Sequence, residues 1–439
     1  MLVVDEAHWL TNADRGHVWT RVLCGRAYKE LHVVAAPEAE ELLVKMFADC
    51  NVIVHRMQRL SRLDAVVRTY AFGTKLAPEY LPAAFVAFSR RSVVAIARAL
   101  HGAGHRPAVV YGALPPKVRL AEVARLVSGD CDVIVCTDVI GHGVNLPLES
   151  IVMCETRKFD GEGVRAVKVW EAAQICGRAG RGTCAGHVFV GKGMGLGRAD
   201  KALVKKAVAA ANGDAATDLE LGSAPVMPRL DDLRRLGAAG DAVLLVAAFD
   251  EWAVHVPDSE WLRRTRQHSV RDRLAWFSDN VHLHLPALLK RGMPSPRLVW
   301  ELTTAPFSTS WEEIAGTVLF GDGVFEVNRD LDSHSEPAVL ERHIARIKDL
   351  RTLARSRLPG VRLPGDLDAQ YIAAVADLAP MLVNASAGMK RCLTCPAVIP
   401  QQPQAQCAQC WEDTDASSSA SWETSSSGDD FYKLFPNIL

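Results

Sequence analysis

Short, wholly apolar runs alternate with helical stretches through the middle of the chain. Ala84 to Phe88 is one such run, and Ser92 to Leu100 then places Val93, Ile96, Ala97 and Leu100 at helical spacing. The strand pattern returns at Ala108 to Tyr111, Asp132 to Cys136, Ile151 to Cys154 and His187 to Val190, with a helix predicted over Leu120 to Val127. Strands without polar alternation must be covered on both faces, which predicts a parallel sheet in an α/β lobe over residues 73–195. Leu2 to Val4 reads as a strand ending in Asp5-Glu6, Leu31 to Val34 as a second and Asn51 to Val54 as a third. A parallel lobe needs more strands than these, so residues 1–72 are expected to be a remnant of a similar lobe. Residues 196–385 read as mainly helical, notably over Lys201 to Ala211, Ala239 to Val254 and Ala338 to Leu358. Residues 412–439 are dominated by Ser and acidic positions and are expected to be disordered.

Composition narrows the class only partly. With 439 residues, 49% of them hydrophobic, the chain can bury two to four cores. No apolar run approaches the ~20 residues of a membrane span, and Met1 is followed by no basic flank, so a soluble cytoplasmic protein without a membrane partner is expected. Lys plus Arg (50) balances Asp plus Glu (51), which neither supports nor excludes a nucleic-acid partner. Of 11 cysteines, seven (Cys24, Cys50, Cys131, Cys136, Cys154, Cys176 and Cys184) are scattered, mostly in apolar runs, as reduced buried thiols would be.

Four segments carry chemistry. Asp5-Glu6-Ala7-His8 puts two carboxylates at the end of a strand, where parallel sheets bind ligands. One carboxylate can hold Mg²⁺ while its neighbour polarises water, although a strand ending in a solvated acidic turn looks the same. Gln174-Ile175-Cys176-Gly177-Arg178-Ala179-Gly180-Arg181 places two arginines three apart with a glycine before each, a form suited to reaching a γ-phosphate. Between them, Thr137 to Leu146 is a Gly-rich loop directly after a strand, with Gly141, Gly143 and the donors Thr137 and Asn145 suited to phosphates. His142, in the same loop, reads first as a packing or hydrogen-bonding residue. Near the C-terminus, Cys392-x2-Cys395-x11-Cys407-x2-Cys410 has the spacing of four thiolates around tetrahedral Zn²⁺, a small module over residues 386–411. Residues 261–277 mix Trp261, Trp276 and Phe277 with five arginines, which suits base stacking and phosphate contact but more simply an amphipathic helix. The glycine-rich Gly191 to Gly197 reads as a connector.

These residues resemble a known family. Asp5 to His8, Phe88-Ser89-Arg90, Thr137 to Leu146 and Gln174 to Arg181 resemble motifs II, IV, V and VI of superfamily 2 helicases. Leu31 to Val34 with Ala36-Pro37-Glu38, Tyr111 to Pro116 and Lys158-Phe159-Asp160-Gly161 are most similar to the mitochondrial degradosome RNA helicase family and its bacterial relatives, and Val299 to Leu302 with Thr304 to Pro306 more loosely so. The resemblance implies an incomplete first RecA-like lobe, a complete second RecA-like lobe and ATP-dependent RNA unwinding. It assigns Asp5 to Mg²⁺, Glu6 to the hydrolytic water, Gln174 to a place near that water, and Arg178 and Arg181 to the γ-phosphate. Gly141, Gly143 and Asn145 would link nucleotide state to strand grip, and Ser89, Arg90, Thr137 and His142 would meet the nucleic acid. RNA is the expected partner, with DNA the alternative, alongside a ribonuclease or a separate phosphate-loop polypeptide. Two departures stand out. Motif II ends in Ala-His, the form of the broader superfamily, and only four residues precede Asp5, so the Gly-Lys-Ser/Thr phosphate-binding loop is missing. A truncated copy inactive alone is therefore expected. Its competitors are a non-catalytic binding or scaffold protein that retains the second lobe, and one half of a split helicase.

Overall fold

A computed structural model describes residues 1–12, 15–25, 28–57, 59–141, 146–160, 163–180, 185–192, 195–219, 221–238, 240–255, 262–264, 268–305, 307, 310–325, 337–356, 361–386, 389–391 and 398–400. In chain order its helicase-like part comprises β1 (Leu2–Val4), α1 (Gly16–Cys24), β2 (Leu31–Val33), α2 (Glu40–Met46), β3 (Arg68–Ala71), β4 (Ala83–Val86), α3 (Arg90–Gly102), β5 (Pro107–Val110), α4 (Pro116–Val127), β6 (Val133–Cys136), β7 (Ser150–Met153), β8 (Arg157–Phe159), β9 (Val164–Ala166), α5 (Val169–Cys176), β10 (His187–Lys192), α6 (Arg198–Ala211) and β11 (Ala224–Val226). The chain divides into two compact units: residues 1–57, 220–327 and 345–367 form one, and residues 58–219, 328–344 and 368–439 the other.

The second unit is built on the predicted parallel sheet. Six strands lie in the order β3-β10-β7-β4-β6-β5, and every neighbouring pair is parallel. All four residues of β4, β5, β6 and β7 are buried, which is why these strands read as unbroken apolar runs. Ala84, Val86, Ile134, Cys136, Ile151 and Met153 share one core with Ala172, Ile175 and Cys176 of α5 and with Val204 and Ala207 of α6. The alternate residue Phe85 meets Tyr70 edge-on at 5.1 Å, as expected from the period of two along a strand. Helices α3 and α4 pack on β5.

Three expectations need revision. Arg68–Ala71, placed above in the first segment, pairs with β10, so the second sheet begins before residue 72. Asn51 to Val54 forms no strand: it has no ladder partner among the described residues, and Val52, Ile53 and Val54 are 41%, 70% and 47% exposed. Cys24 and Cys50 are exposed, whereas Cys131, Cys136, Cys154 and Cys176 are buried as expected, and burial pushes their thiols up, Cys176 to about 12. Cys184 lies outside the described residues.

The first unit joins the N-terminal segment to part of the helical region. β1 and β2 pair in parallel, and the ladder continues through Val34 N–H to Val4 O and Ala7 N–H to Val34 O, both 2.9 Å. Val4, Ala7, Leu10, Leu23, Leu42 and Met46 form a small core with Ala224 of β11. Gly16 makes this packing sterically possible, since a Cβ there would lie 2.2 Å from Leu10 O and 2.9 Å from Pro225 Cγ. Residues 196–385 are thus helical only in the main, because β11 pairs with Leu262–Arg264. Within 261–277 the amphipathic reading fits: Phe277 is fully buried, Trp276 meets Trp311 edge-on at 5.2 Å, Arg273 donates to Thr303 O at 3.0 Å and Arg271 pairs with Asp250 at 2.8 Å. Trp261 and Arg266 lie outside the described residues. Among the described residues no helix is long and apolar enough to cross a membrane.

Candidate functional site

In the first unit, Asp5 follows β1 directly and is exposed, with its Oδ1 accepting the Glu6 amide at 2.8 Å. A solvent-facing carboxylate at a strand end is the donor type that hydrated Mg²⁺ takes, so this position fits that ion. Glu6 adopts φ 54° and ψ 36°, the left-handed region, which costs a non-glycine residue about 1–2 kcal/mol. What holds it there is the next pair: Ala7 is fully buried on the ladder to Val34, and His8 is buried with its Nδ1 accepting the Ala36 amide at 3.3 Å. Accepting at Nδ1 leaves the proton on Nε2, which faces Glu6 Oε2 at 3.3 Å. Burial lowers the His8 pKa against the opposing charges of Glu38 and Asp5, so the ring is neutral at pH 7. His8 therefore ties Glu6 to the segment after β2 as a neutral hydrogen-bonding bridge.

In the second unit Ser89, Arg90 and Thr137 follow the carboxyl ends of parallel strands, where such sheets bind ligands, whereas Gln174 and Arg178 stand on and just beyond α5. Ser89 comes after β4 and caps α3, its Oγ accepting Ser92 N–H at 2.9 Å. The Phe88 amide donates to Glu155 Oε2 at 2.6 Å, so the turn after β7 braces the turn after β4. Arg90 is exposed and ion-pairs Glu341, which also accepts the Tyr111 hydroxyl. Burial and that hydrogen bond push the Tyr111 phenol well above its ordinary value. Thr137 follows β6, donating its amide to Val110 O at 3.2 Å and receiving Val139 N–H at 3.5 Å. Gly141 ends the short helix Asp138–Gly141. His142, Gly143, Asn145 and Arg181 lie outside the described residues. Gln174 lies half-buried on α5 and Arg178 half-buried just beyond it. The chain then turns through Gly180 at φ +63°, where its amide donates to Leu148 O at 2.7 Å.

A charge network centred on the buried Glu171, not foreseen from the sequence, joins these loops. Glu171 on α5 receives Arg165 through both oxygens at 2.8 and 2.9 Å, Lys158 Nζ at 2.7 Å and the Lys168 amide at 2.9 Å. Lys158 also reaches Asp138 at 3.1 Å, and Arg165 reaches Asp160 at 3.1 Å. The β8–β9 hairpin thereby holds the loop after β6 and the helix carrying Gln174 by opposite charge. Burial alone would raise the Glu171 carboxyl, but Arg165 and Lys158 bring it down to about 2. Asp218 completes the frame by accepting the Val169 and Trp170 amides, each at 2.9 Å, at the start of α5.

Arg59 secures the other end of α5. Its guanidinium donates to Gly177 O at 2.8 Å, to Ala179 O at 2.5 Å and to Ser61 O, and the Ser61 hydroxyl donates to Gly180 O. Free carbonyls at a helix C-terminus attract cations, so a guanidinium is well suited there. Nothing in the local sequence marks Arg59, because its partners lie 118 and 120 residues away.

The Glu171 carboxyl is depressed from an ordinary value near 4.5 to about 2. Its contribution is therefore full above pH ~4.5 and is lost as pH falls from there towards 2. Urea unfolding should find Glu171→Gln less stable than the parent by about 3 kcal/mol at neutral pH, with the gap narrowing below pH ~4.5. A gap that does not change with pH would rule out the network as the source of the stability.

Two family models match the chain: the DEXQ-box helicase domain of Suv3 over residues 1–57 and the helicase conserved C-terminal domain over residues 81–183. The first is named for a box ending in Gln, where this chain has His8. The Arabidopsis thaliana protein "DExH-box ATP-dependent RNA helicase DExH16, mitochondrial" is 36% identical over 186 residues, covering 41% of this chain and 32% of its own length. The Saccharomyces paradoxus "ATP-dependent RNA helicase SUV3, mitochondrial" is 32% identical over 185 residues, covering 41% and 25%. The Caenorhabditis elegans "ATP-dependent RNA helicase SUV3 homolog, mitochondrial" is 33% identical over 187 residues, covering 41% and 24%. The chain thus spans about a quarter to a third of the length of these curated relatives. The solved structure of S. cerevisiae Dbp5 bound to RNA and ADP BeF3 aligns with 49% of this chain and 57% of its own at 14% identity and a TM-score of 0.37, a match too loose to add weight. The expectation of a cytoplasmic protein is overturned, because the relatives are mitochondrial RNA helicases. Zinc finds no support here: no group of three or more His, Cys, Asp or Glu among the described residues could hold a metal, and Cys392, Cys395, Cys407 and Cys410 lie outside them. With its motif-like segments set at the ends of parallel strands and matched by both family models, the chain resembles superfamily 2 helicases of the Suv3 family.

Proposed function

We propose that this chain carries the second lobe and part of the first lobe of a mitochondrial ATP-dependent RNA helicase. One observation carries the proposal: in both units the motif residues follow the carboxyl ends of parallel strands, Asp5 after β1, Ser89 after β4 and Thr137 after β6. Bound at Asp5, Mg²⁺ would supply charge neutralisation on the phosphates. Glu6, with His8 hydrogen-bonded to its carboxylate, is suited to orient and deprotonate the attacking water. By the resemblance, Arg178 and Arg181 are suited to a γ-phosphate, Gln174 to an attacking water, and Gly141, Gly143 and Asn145 to relaying nucleotide state. Ser89, Arg90, Thr137 and His142 meet the phosphates of a single strand, which is RNA for the relatives, and a ribonuclease is the partner this role implies. The four distal cysteines are suited to hold one Zn²⁺ as thiolates.

Phosphoryl transfer depends almost wholly on positioning and electrostatics, and no phosphate-binding loop occurs in these 439 residues. The purified chain should therefore bind single-stranded RNA in a salt-dependent manner yet hydrolyse negligible ATP with or without it. Robust RNA-stimulated hydrolysis would contradict the need for a phosphate-binding loop, and the absence of RNA affinity at low salt would contradict the helicase reading. Elemental analysis of protein purified under reducing conditions should find one zinc per chain, a content abolished by Cys392→Ser with Cys395→Ser. Zinc-free protein would eliminate the module.

A further inference from the structure

Motif IV of the second unit has a counter-charge that no helicase motif supplies. Arg90 stands in the first turn of α3, and its guanidinium ion-pairs Glu341 on the helix Pro337–Ser356, 251 residues further along. The same carboxylate accepts the hydroxyl of Tyr111, which directly follows β5. Glu341 is enclosed, its side chain 4% exposed, whereas Arg90 is 46% exposed. Arg90 can therefore turn to an external anion while Glu341 stays in place.

We propose that Glu341 gates the RNA grip: it occupies Arg90 in the free protein, and a strand phosphate must displace it to gain that contact. Carboxylate and phosphate compete for the same planar set of N–H donors, so both cannot hold it fully at once. Tyr111 makes the exchange feasible. When Arg90 leaves, the enclosed carboxylate keeps one hydrogen bond, which reduces the penalty of a buried charge without its cation. The gate regulates the strand contact assigned above and so rests on the RNA reading.

The test titrates the 439-residue chain with a labelled single-stranded oligoribonucleotide by fluorescence anisotropy, from about 50 to 300 mM salt. Glu341→Gln keeps the shape, still accepts from Tyr111 and releases Arg90. It should bind about tenfold tighter at the low-salt end, and its plot of log affinity against log salt should steepen by about 0.7, the value of one added phosphate contact on a single strand. Adding Arg90→Gln to Glu341→Gln should abolish the extra slope, whereas a general loss of negative charge would leave it. Tyr111→Phe should act in the opposite direction and weaken RNA binding, because the carboxylate then has Arg90 alone. A helix anchor without a gating role would make both single variants shift together. If the parent binds RNA and Glu341→Gln matches it in affinity and slope, the gate is overturned and the RNA reading stands. If neither the parent nor any variant binds, both fall.

Discussion

Glu171 is a buried carboxylate with two cations on it, and the arrangement of the second unit's motif loops depends on that fact. Removed from water, the charge would be costly alone. Arg165 meets it through both oxygens and Lys158 adds a third contact, so the burial is offset by bidentate and charge-assisted bonds. Because Arg165 and Lys158 belong to one hairpin and Glu171 to α5, satisfying this carboxylate fixes the hairpin on the helix. Lys158 also holds Asp138, and the loop after β6 is drawn into the same set. The loop after β6, α5 and the hairpin between them are thereby joined by charge.

The ends of α5 are held by residues distant in sequence. Asp218 takes the first free amides, and Arg59 takes carbonyls beyond the last turn. Arg178 stands between two carbonyls that Arg59 grips, so the backbone around this arginine is fixed from outside its own helix. In the first unit, the strained φ of Glu6 is held in a comparable way, by the buried pair Ala7 and His8. The backbone around Arg178 is thus positioned from outside its own segment, whereas Glu6 is positioned by its two neighbours within the Asp5–His8 segment.

Much of the sheet was legible because burial on both faces writes an unbroken apolar run, as in β4 to β7. β3 escaped notice because Arg68-Thr69-Tyr70-Ala71 is an edge strand with a single buried residue, Tyr70. Asn51 to Val54 misled in the other direction: β propensity without a partner edge makes no strand. Of the candidate residues, spacing and strand ends single out Asp5, Glu6, Thr137, Gln174 and Arg178, and the structure sets Asp5 after β1 and Thr137 after β6. Arg59 and Glu341 were not legible, because their partners lie 118 to 251 residues away, and Glu171 was not, because Arg165, six residues before it, stands on a hairpin whose placement on α5 no helix or strand period announces. The Cys24 and Cys50 thiols show that an apolar neighbourhood in sequence does not assure burial in space.

Native-state hydrogen exchange on Glu171→Gln tests most directly whether these loops form one electrostatically joined set. Residues 138–140, the hairpin strands 157–159 and 164–166, and residues 169–180 should lose protection together, while β5 and β6 retain theirs. Loss confined to α5, with the hairpin and the loop after β6 unchanged, would contradict the account.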